Sequence, residues 1–131
     1  MAGLSYMRAD VWPAAGGVPD VSPLIGTWKN CNTETDHIAK LVVSLRDSVI
    51  RVQVFGAYSP EPVDWGEVKA APFVSSGKLV AEGFHTHYDF GPIQTLLAAN
   101  QKQGILVIQS YTTFKDGSGR LNSFAREFFH Q

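Results

Sequence analysis

The 131 residues include a single cysteine, Cys31, so no disulfide can form within the chain and nothing argues for an oxidising compartment. No apolar run approaches the ~18 residues that cross a bilayer as a helix. Charge is sparse and balanced: 11 Lys and Arg against 12 Asp and Glu leave a net charge of −1. That balance excludes the basic footprint of a nucleic-acid binder or of a protein drawn to an anionic membrane. Helical spacing is never sustained beyond a couple of turns, and the chain has no G-x-S-x-G elbow, P-loop, H-E-x-x-H or cysteine pair. The leader holds Arg8 and Asp10 without a compact apolar core, so it does not read as a signal peptide. The expected setting is therefore the cytoplasm, with neither nucleic acid nor membrane as partner.

What the chain does contain is a series of short alternating segments behind an irregular arm. Pro13, Gly16, Gly17, Pro19 and Pro23 forbid a regular element over most of residues 1–23. Leu4, Tyr6, Met7, Val11 and Trp12 are apolar enough to dock that arm over a barrel mouth or a second subunit. From residue 24 to 131 the pattern predicts one domain of strands and turns. The first strand lies within Leu24–Asn30, where alternation puts Gly26, Trp28 and Asn30 on one face. A second runs over about Asp36–Leu45, turns at Arg46-Asp47-Ser48, and leads to a third carrying Ile50, Val52 and Val54. Gly56 marks a bend. Asp64-Trp65-Gly66 opens the fourth strand, and Ser75-Ser76-Gly77 closes it. The fifth, near Lys78–Phe90, sets Val80, Phe84, Tyr88 and Phe90 against His85, His87 and Asp89. Ile93–Ala99, Ile105–Phe114 and Leu121–His130 complete the set, the last two joined through Asp116-Gly117-Ser118-Gly119.

The prediction is an all-β fold, an eight-stranded antiparallel up-and-down β-barrel with an irregular N-terminal arm. Eight is the strand number at which a sheet closes around either packed side chains or one small ligand. A two-sheet sandwich is the rival, but regular hairpin spacing favours a meander over the long connections of a Greek key.

Gly26-Thr27-Trp28 at the head of such a meander resembles the calycin superfamily of lipocalins, fatty-acid-binding proteins and avidins, and Gly26-Thr27-Trp28-Lys29-Asn30 is similar to the avidin opening. The resemblance covers the strand layout from about residue 24 to 130. It implies that Asn30 contributes to a ligand pocket and that Trp28 closes one end beneath a basic side chain of the last strand, Arg126. The other biotin-contacting positions have no match, so biotin is not implied. Asp64-Trp65-Gly66 and Phe114-Lys115-Asp116-Gly117-Ser118-Gly119-Arg120 also resemble elements of short bacterial barrels.

Several residue groups carry candidate chemistry. His85 and His87 share one face at a spacing that suits a metal, with His37, His130 or Asp89 as a third ligand, yet patterning points both to solvent. Haem-binding barrels of this shape use an axial histidine, for which His130 or His85 is available, but the accompanying glycine-rich motif is missing. Neither a metal nor a cofactor is expected. Glu82, Asp64, Asp89, Glu127 and the histidines are the acid/base candidates, and Glu82 would become a proton donor if its face lay inside. Cys31 has no basic neighbour to activate it. Asp116–Arg120 reads either as an anion nest or as plain hairpin geometry.

The expected function is binding of a small hydrophobic or amphipathic molecule inside the barrel. Asn30, Trp65, Phe84, Tyr88, Tyr111 and Phe124 would line the pocket, and Trp28 and Arg126 would close it. One alternative is a cofactor-independent cyclase or isomerase using Glu82, His85 and His87. Another is a homo-oligomeric module whose aromatics make subunit contacts.

Overall fold

The computed structural model describes residues 16–58, 61–75 and 77–131. The docking expected of Leu4, Tyr6, Met7, Val11 and Trp12 falls outside those residues. Eight strands follow one another: β1 (Gly26–Asn30), β2 (Ile38–Arg46), β3 (Val49–Gly56), β4 (Val63–Val74), β5 (Ala81–Asp89), β6 (Ile93–Lys102), β7 (Ile105–Phe114) and β8 (Ser123–His130). Each pairs antiparallel with its sequence neighbours, and β8 pairs with β1, so the sheet closes into an up-and-down barrel compatible with a calycin-like fold. The sandwich rival is thereby excluded. Among the described residues no helix is long and apolar enough to cross a membrane.

The closing seam is short. Lys29 faces His130 and Asn30 faces Phe129, and the Cys31 amide adds a bond of 2.8 Å to the Phe128 carbonyl. At the far end the Gln131 side-chain amide donates to the Ile25 carbonyl at 2.9 Å and lies where a Cβ on Gly26 would stand. The close neighbour that Gly26 admits is thus the Gln131 side chain.

One end of the cylinder is sealed by the segment before β1. The Asp20 amide donates to the Leu79 carbonyl, and its own carbonyl accepts from the Ala81 amide. A 3-10 turn, Ser22–Leu24, then drops Leu24 into the core. Trp28 is 1% exposed, and its indole N–H donates to the Leu24 carbonyl at 3.0 Å. Above this floor Leu41, Val52, Val54, Leu97, Leu106 and Phe129 are all fully buried. A hollow wide enough for a ligand would expose its lining, so this part of the barrel is filled by side chains. At roughly 1.5–3 kcal/mol for each large apolar side chain buried, this filling is the main stabilising term.

The strand boundaries depart from the sequence reading mostly by a few residues at the ends, and the hairpins explain the agreement elsewhere. Asp47 and Ser48 (φ 54° and 64°), like Gln103 and Gly104 (φ 53° and 80°), take the left-handed conformation of two-residue hairpin turns. The larger departures come from three bulges, which reverse which alternate residues face inward. Ala39 is the extra residue in β2, between Ile38 and Lys40, and brings Ile38 inside. Glu82 is the extra residue in β5: Phe73 faces Gly83 but Val74 faces Ala81. As a result Ala81 is buried while Val80 and Glu82 are exposed, contrary to the expectation that Val80 and Phe84 share the inner face.

The third bulge is the Asp64-Trp65-Gly66 element. Gln53 faces Glu67 and Phe55 faces Asp64, so Trp65 and Gly66 together oppose Val54. Gly66 takes φ 92°, which favours glycine, and its amide is held by the Asp64 carboxylate at 2.8 Å. The backbone groups released from the ladder are recovered by one phenol. Tyr88 Oη donates to the Gly66 carbonyl at 2.6 Å and accepts from the Val54 amide at 3.1 Å. Burial pushes the Tyr88 pKa up to about 12, so the hydroxyl stays protonated and able to donate. Tyr88→Phe leaves the buried Val54 amide without an acceptor and is expected to cost about 1–3 kcal/mol of unfolding free energy in a denaturant titration. A loss of less than about 0.5 kcal/mol would mean that the bulge does not depend on this hydroxyl.

Candidate functional site

At the end opposite the 3-10 turn, polar groups enter the barrel. Asn30 closes β1 facing inward, and alternation along β8 turns Glu127 inward between Arg126 and Phe128. Asn30 Nδ2 donates to Glu127 Oε2 at 2.7 Å and to the Ile38 carbonyl at 2.9 Å. From the β1–β2 loop, Thr35 Oγ1 donates to the same carboxylate oxygen at 2.5 Å. His37 Nδ1 lies 3.1 Å from Oε1 and is the donor there, since a carboxylate only accepts. Burial raises the Glu127 pKa, but the bonds from His37, Thr35 and Asn30, together with the charge of His37, outweigh it and hold the carboxyl below its ordinary value. The loop is preorganised for this role. Asn30 Oδ1 accepts from the Asn32 amide at 2.8 Å, and Thr35 Oγ1 accepts from the His37 amide at 3.1 Å.

Aromatic rings adjoin this polar cluster. The bulge points Trp65 inward at the mouth, where its ring lies against Gly56. A Cβ on Gly56 would come within 2.5 Å of the indole nitrogen, which is why this strand ends in glycine. Trp65 meets His37 edge-on at 5.7 Å between ring centres, Tyr88 at 5.5 Å and Phe90 at 5.8 Å. Tyr88 and Phe90 stack at 5.6 Å. Among the described residues, neither Trp65 Nε1 nor His37 Nε2 has a hydrogen-bond partner. The His37 side chain is 28% exposed and that of Glu127 16%, so solvent reaches both. A separate open groove of about 630 Å³ lies outside the mouth, lined by Lys29, Asn30, Thr35, Lys40, Ala57 and Tyr58, and neither His37, Trp65 nor Glu127 lines it.

The residues expected to form the site separate into two groups. Asn30, Trp65, Phe84 and Tyr88 face the interior, with Phe84 deep in the filled part of the barrel. Tyr111 and Phe124 do not: Ser110 and Ala125 take the inner positions beside them, and their rings meet each other at 5.3 Å on the outer wall. Arg126 also stands outside, 5.5 Å over the Phe128 ring. Its two neighbours in the strand alternate away from it, so it is not the side chain that covers Trp28. The Leu24 carbonyl and the 3-10 turn close that end instead.

Glu82, His85 and His87 are exposed on the outer wall, apart from the mouth. Glu82 accepts from Ser75 Oγ at 3.2 Å, and His85 meets Phe73 edge-on at 6.1 Å. No three His, Cys, Asp or Glu side chains gather as a metal would require among the described residues. The Asp116–Arg120 loop satisfies itself. Arg120 bonds the Asp116 carboxylate at 2.5 Å and lies 4.1 Å over the Phe114 ring, while bonds from Ser118 and Arg120 hold the Asp116 pKa down at about 2. That arrangement leaves hairpin geometry as the account of the loop.

In the sequence Glu127 and His37 stand only among several acid/base candidates, His37 also as one possible third metal ligand. Ninety residues separate them, and no spacing joins them. No family model matches the chain, and neither does any curated protein or solved structure.

The lowered Glu127 pKa has a consequence for stability. The bonds to the ionised carboxylate contribute fully above the ordinary value of 4.5, and that contribution is lost as the pH falls from there through the lower folded value. Glu127→Gln is therefore expected to destabilise the barrel at pH 7 and to converge on the parent protein in acid. Melting curves across pH 2–7 check this, and parallel curves for the two proteins would contradict it.

Proposed function

We propose that the protein binds a small amphipathic molecule at the open mouth of the barrel, its apolar body against Trp65 and Phe90, which the buried Tyr88 ring backs, and its polar end toward His37 and the Glu127 cluster. One observation carries this reading: a part-exposed imidazole, its Nε2 unpaired among the described residues, is held by a carboxylate that three donors fix, and the Trp65 ring meets it edge-on. A mouth built only to close the fold has no need of a preorganised polar end next to an aromatic wall. The filled interior argues for a ligand at the rim, not one swallowed by the cylinder. The likeness of Gly26-Thr27-Trp28-Lys29-Asn30 to the calycin and avidin opening supports a binding role as well. Its asparagine spends its side-chain amide on Glu127 and Ile38, so the ligand would meet it through the carboxylate.

Native mass spectrometry of protein made in its own host is expected to show a co-purifying molecule of a few hundred daltons. Trp65→Ala should lose that molecule while keeping the parent far-UV spectrum. Repeated preparations without bound mass would count against the reading.

A second reading, self-association through the outer wall, is favoured by a separate observation. Tyr111, Phe124 and Phe128 stand exposed on the adjacent strands β7 and β8, Phe124 at 59%. Isolated surface aromatics are ordinary, but the touching pair Tyr111 and Phe124, with Phe128 beyond Arg126 on the same face, supports a surface that two copies could share. Light scattering is expected to give a mass above one chain, and Phe124→Ser with Phe128→Ser should return it to one chain without lowering the melting temperature. A single-chain mass for the parent at every concentration would end this reading.

A further inference from the structure

The Glu127–His37 pair has a geometry that binding alone does not call for. A carboxylate that accepts from Nδ1–H fixes the imidazole in the tautomer whose lone pair is on Nε2. That nitrogen is unpaired among the described residues, solvent reaches the ring, and Trp65 packs edge-on against it. Trp65 brings a free N–H donor to the same mouth, set against Gly56 by the β4 bulge. The mouth thus offers an oriented base, a neutral hydrogen-bond donor and an apolar wall.

We infer that the mouth is a proton-transfer site for an apolar carbonyl compound with an enolisable C–H, in which His37 Nε2 is the base and Trp65 Nε1–H binds the carbonyl oxygen. The inference rests on the reading of the mouth as a small-molecule site and names its substrate class. In the step, Nε2 takes the α-proton, and the C–H electron pair becomes the carbon–carbon π bond of an enolate. The carbonyl π pair moves onto oxygen, where the indole N–H stabilises it. The imidazolium then returns a proton to carbon, at the same position for exchange or at a conjugated one for isomerisation. No oxidant, metal or cosubstrate is consumed. Glu127 is a positioning residue: it touches no reacting atom and acts by holding the ring and its tautomer. The charged groups near His37 are Glu34 and Asp36 on its own loop, Glu127 on β8, and Asp64 on β4, which is occupied by Gln53 and the Gly66 amide.

The probe is 2-tetralone, an apolar ketone with exchangeable α-hydrogens, followed by NMR in deuterated buffer together with saturation-transfer detection of binding. The parent protein is expected to speed α-exchange at least tenfold over the same concentration of free imidazole, with saturation in tetralone. His37→Gln should remove about 10²-fold or more of that rate while tetralone still binds. Trp65→Phe keeps the aromatic face but loses the N–H, and should lower the rate about tenfold or more. Glu127→Gln should lower kcat and leave KM within about twofold, whereas a purely structural role would move both.

Binding without accelerated exchange would overturn the proton-transfer assignment and leave the binding reading standing. Absence of both would overturn this inference and remove apolar ketones from the ligand classes of the mouth. If His37→Gln fails to fold, Trp65→Phe and Glu127→Gln still decide the matter: unchanged rates in both would overturn the assignment.

Discussion

Closure of β8 onto β1 fixes an inside and an outside for the whole cylinder, and every other assignment follows from which side a residue's parity puts it on. The seam that enforces this is only two residue pairs long, extended by the Cys31 amide at one end and the Gln131 side chain at the other. Once it forms, every strand has a neighbour on both sides, and a residue can leave its face only through a bulge. Three bulges do this, and each has a visible effect. Ala39 brings Ile38 inside, the Trp65-Gly66 pair brings the indole to the mouth, and Glu82 exchanges Val80 for Ala81 at the core.

These bulges also mark where the sequence stopped being legible. Strand number, order and pairing follow from hairpin turns and alternation, and β7 was bounded to the residue. Alternation counts residues two at a time, however, and an extra residue looks like any other until its cross-strand partner is known. Alternation therefore puts Glu82 on one face with Phe84 and Tyr88, whereas in the structure it is the inserted residue itself. In β8 the failure has another cause. Phe124, Phe128 and Phe129 occupy both parities, so hydrophobicity gives the strand no inner face to choose. The structure turns the charged Glu127 inward and leaves Phe124 and Phe128 outside beside Arg126, so for the glutamate and the two phenylalanines it reverses what burial preferences suggest. With the parity of β8 undecided by hydrophobicity, the sequence reading puts Arg126 and Phe124 on the inner side, where the structure does not, and Tyr111 beside Phe124 is likewise on the outer wall.

The candidate site was less legible than the fold. Asn30, Trp65 and Tyr88 are visible from their residue types and positions, because an asparagine on the Trp28 face and an aromatic at a strand end are local features. The carboxylate–imidazole pair is not local. His37 sits in a polar turn and Glu127 in the last strand, and only the return of β8 beside β1 brings them within 3.1 Å. A signal is present all the same: Glu127 is the one acidic residue of the final strand and sits between Arg126 and Phe128, so one parity of that strand has to turn it inward.

That choice bears on why such a cluster exists. An ionised carboxyl drawn into a barrel loses hydration, and burial is the largest single influence on Glu127. Three donors from two elements are needed to reverse it, and the β1–β2 loop is shaped around supplying them. An apolar side chain at position 127 would seal the mouth with no such apparatus, as Ile108 and Phe129 do beside it. A fold that breaks its own burial rule at one position, and then organises a loop, a bulge and a glycine to support it, has concentrated its departures from simple packing in one place. Departures of that kind gather at functional sites, since packing alone gives no reason for them. The outer-wall histidines show the contrast. His85 and His87 carry the same chemistry as His37, but with no carboxylate to fix a tautomer and no enclosing mouth they remain ordinary surface side chains.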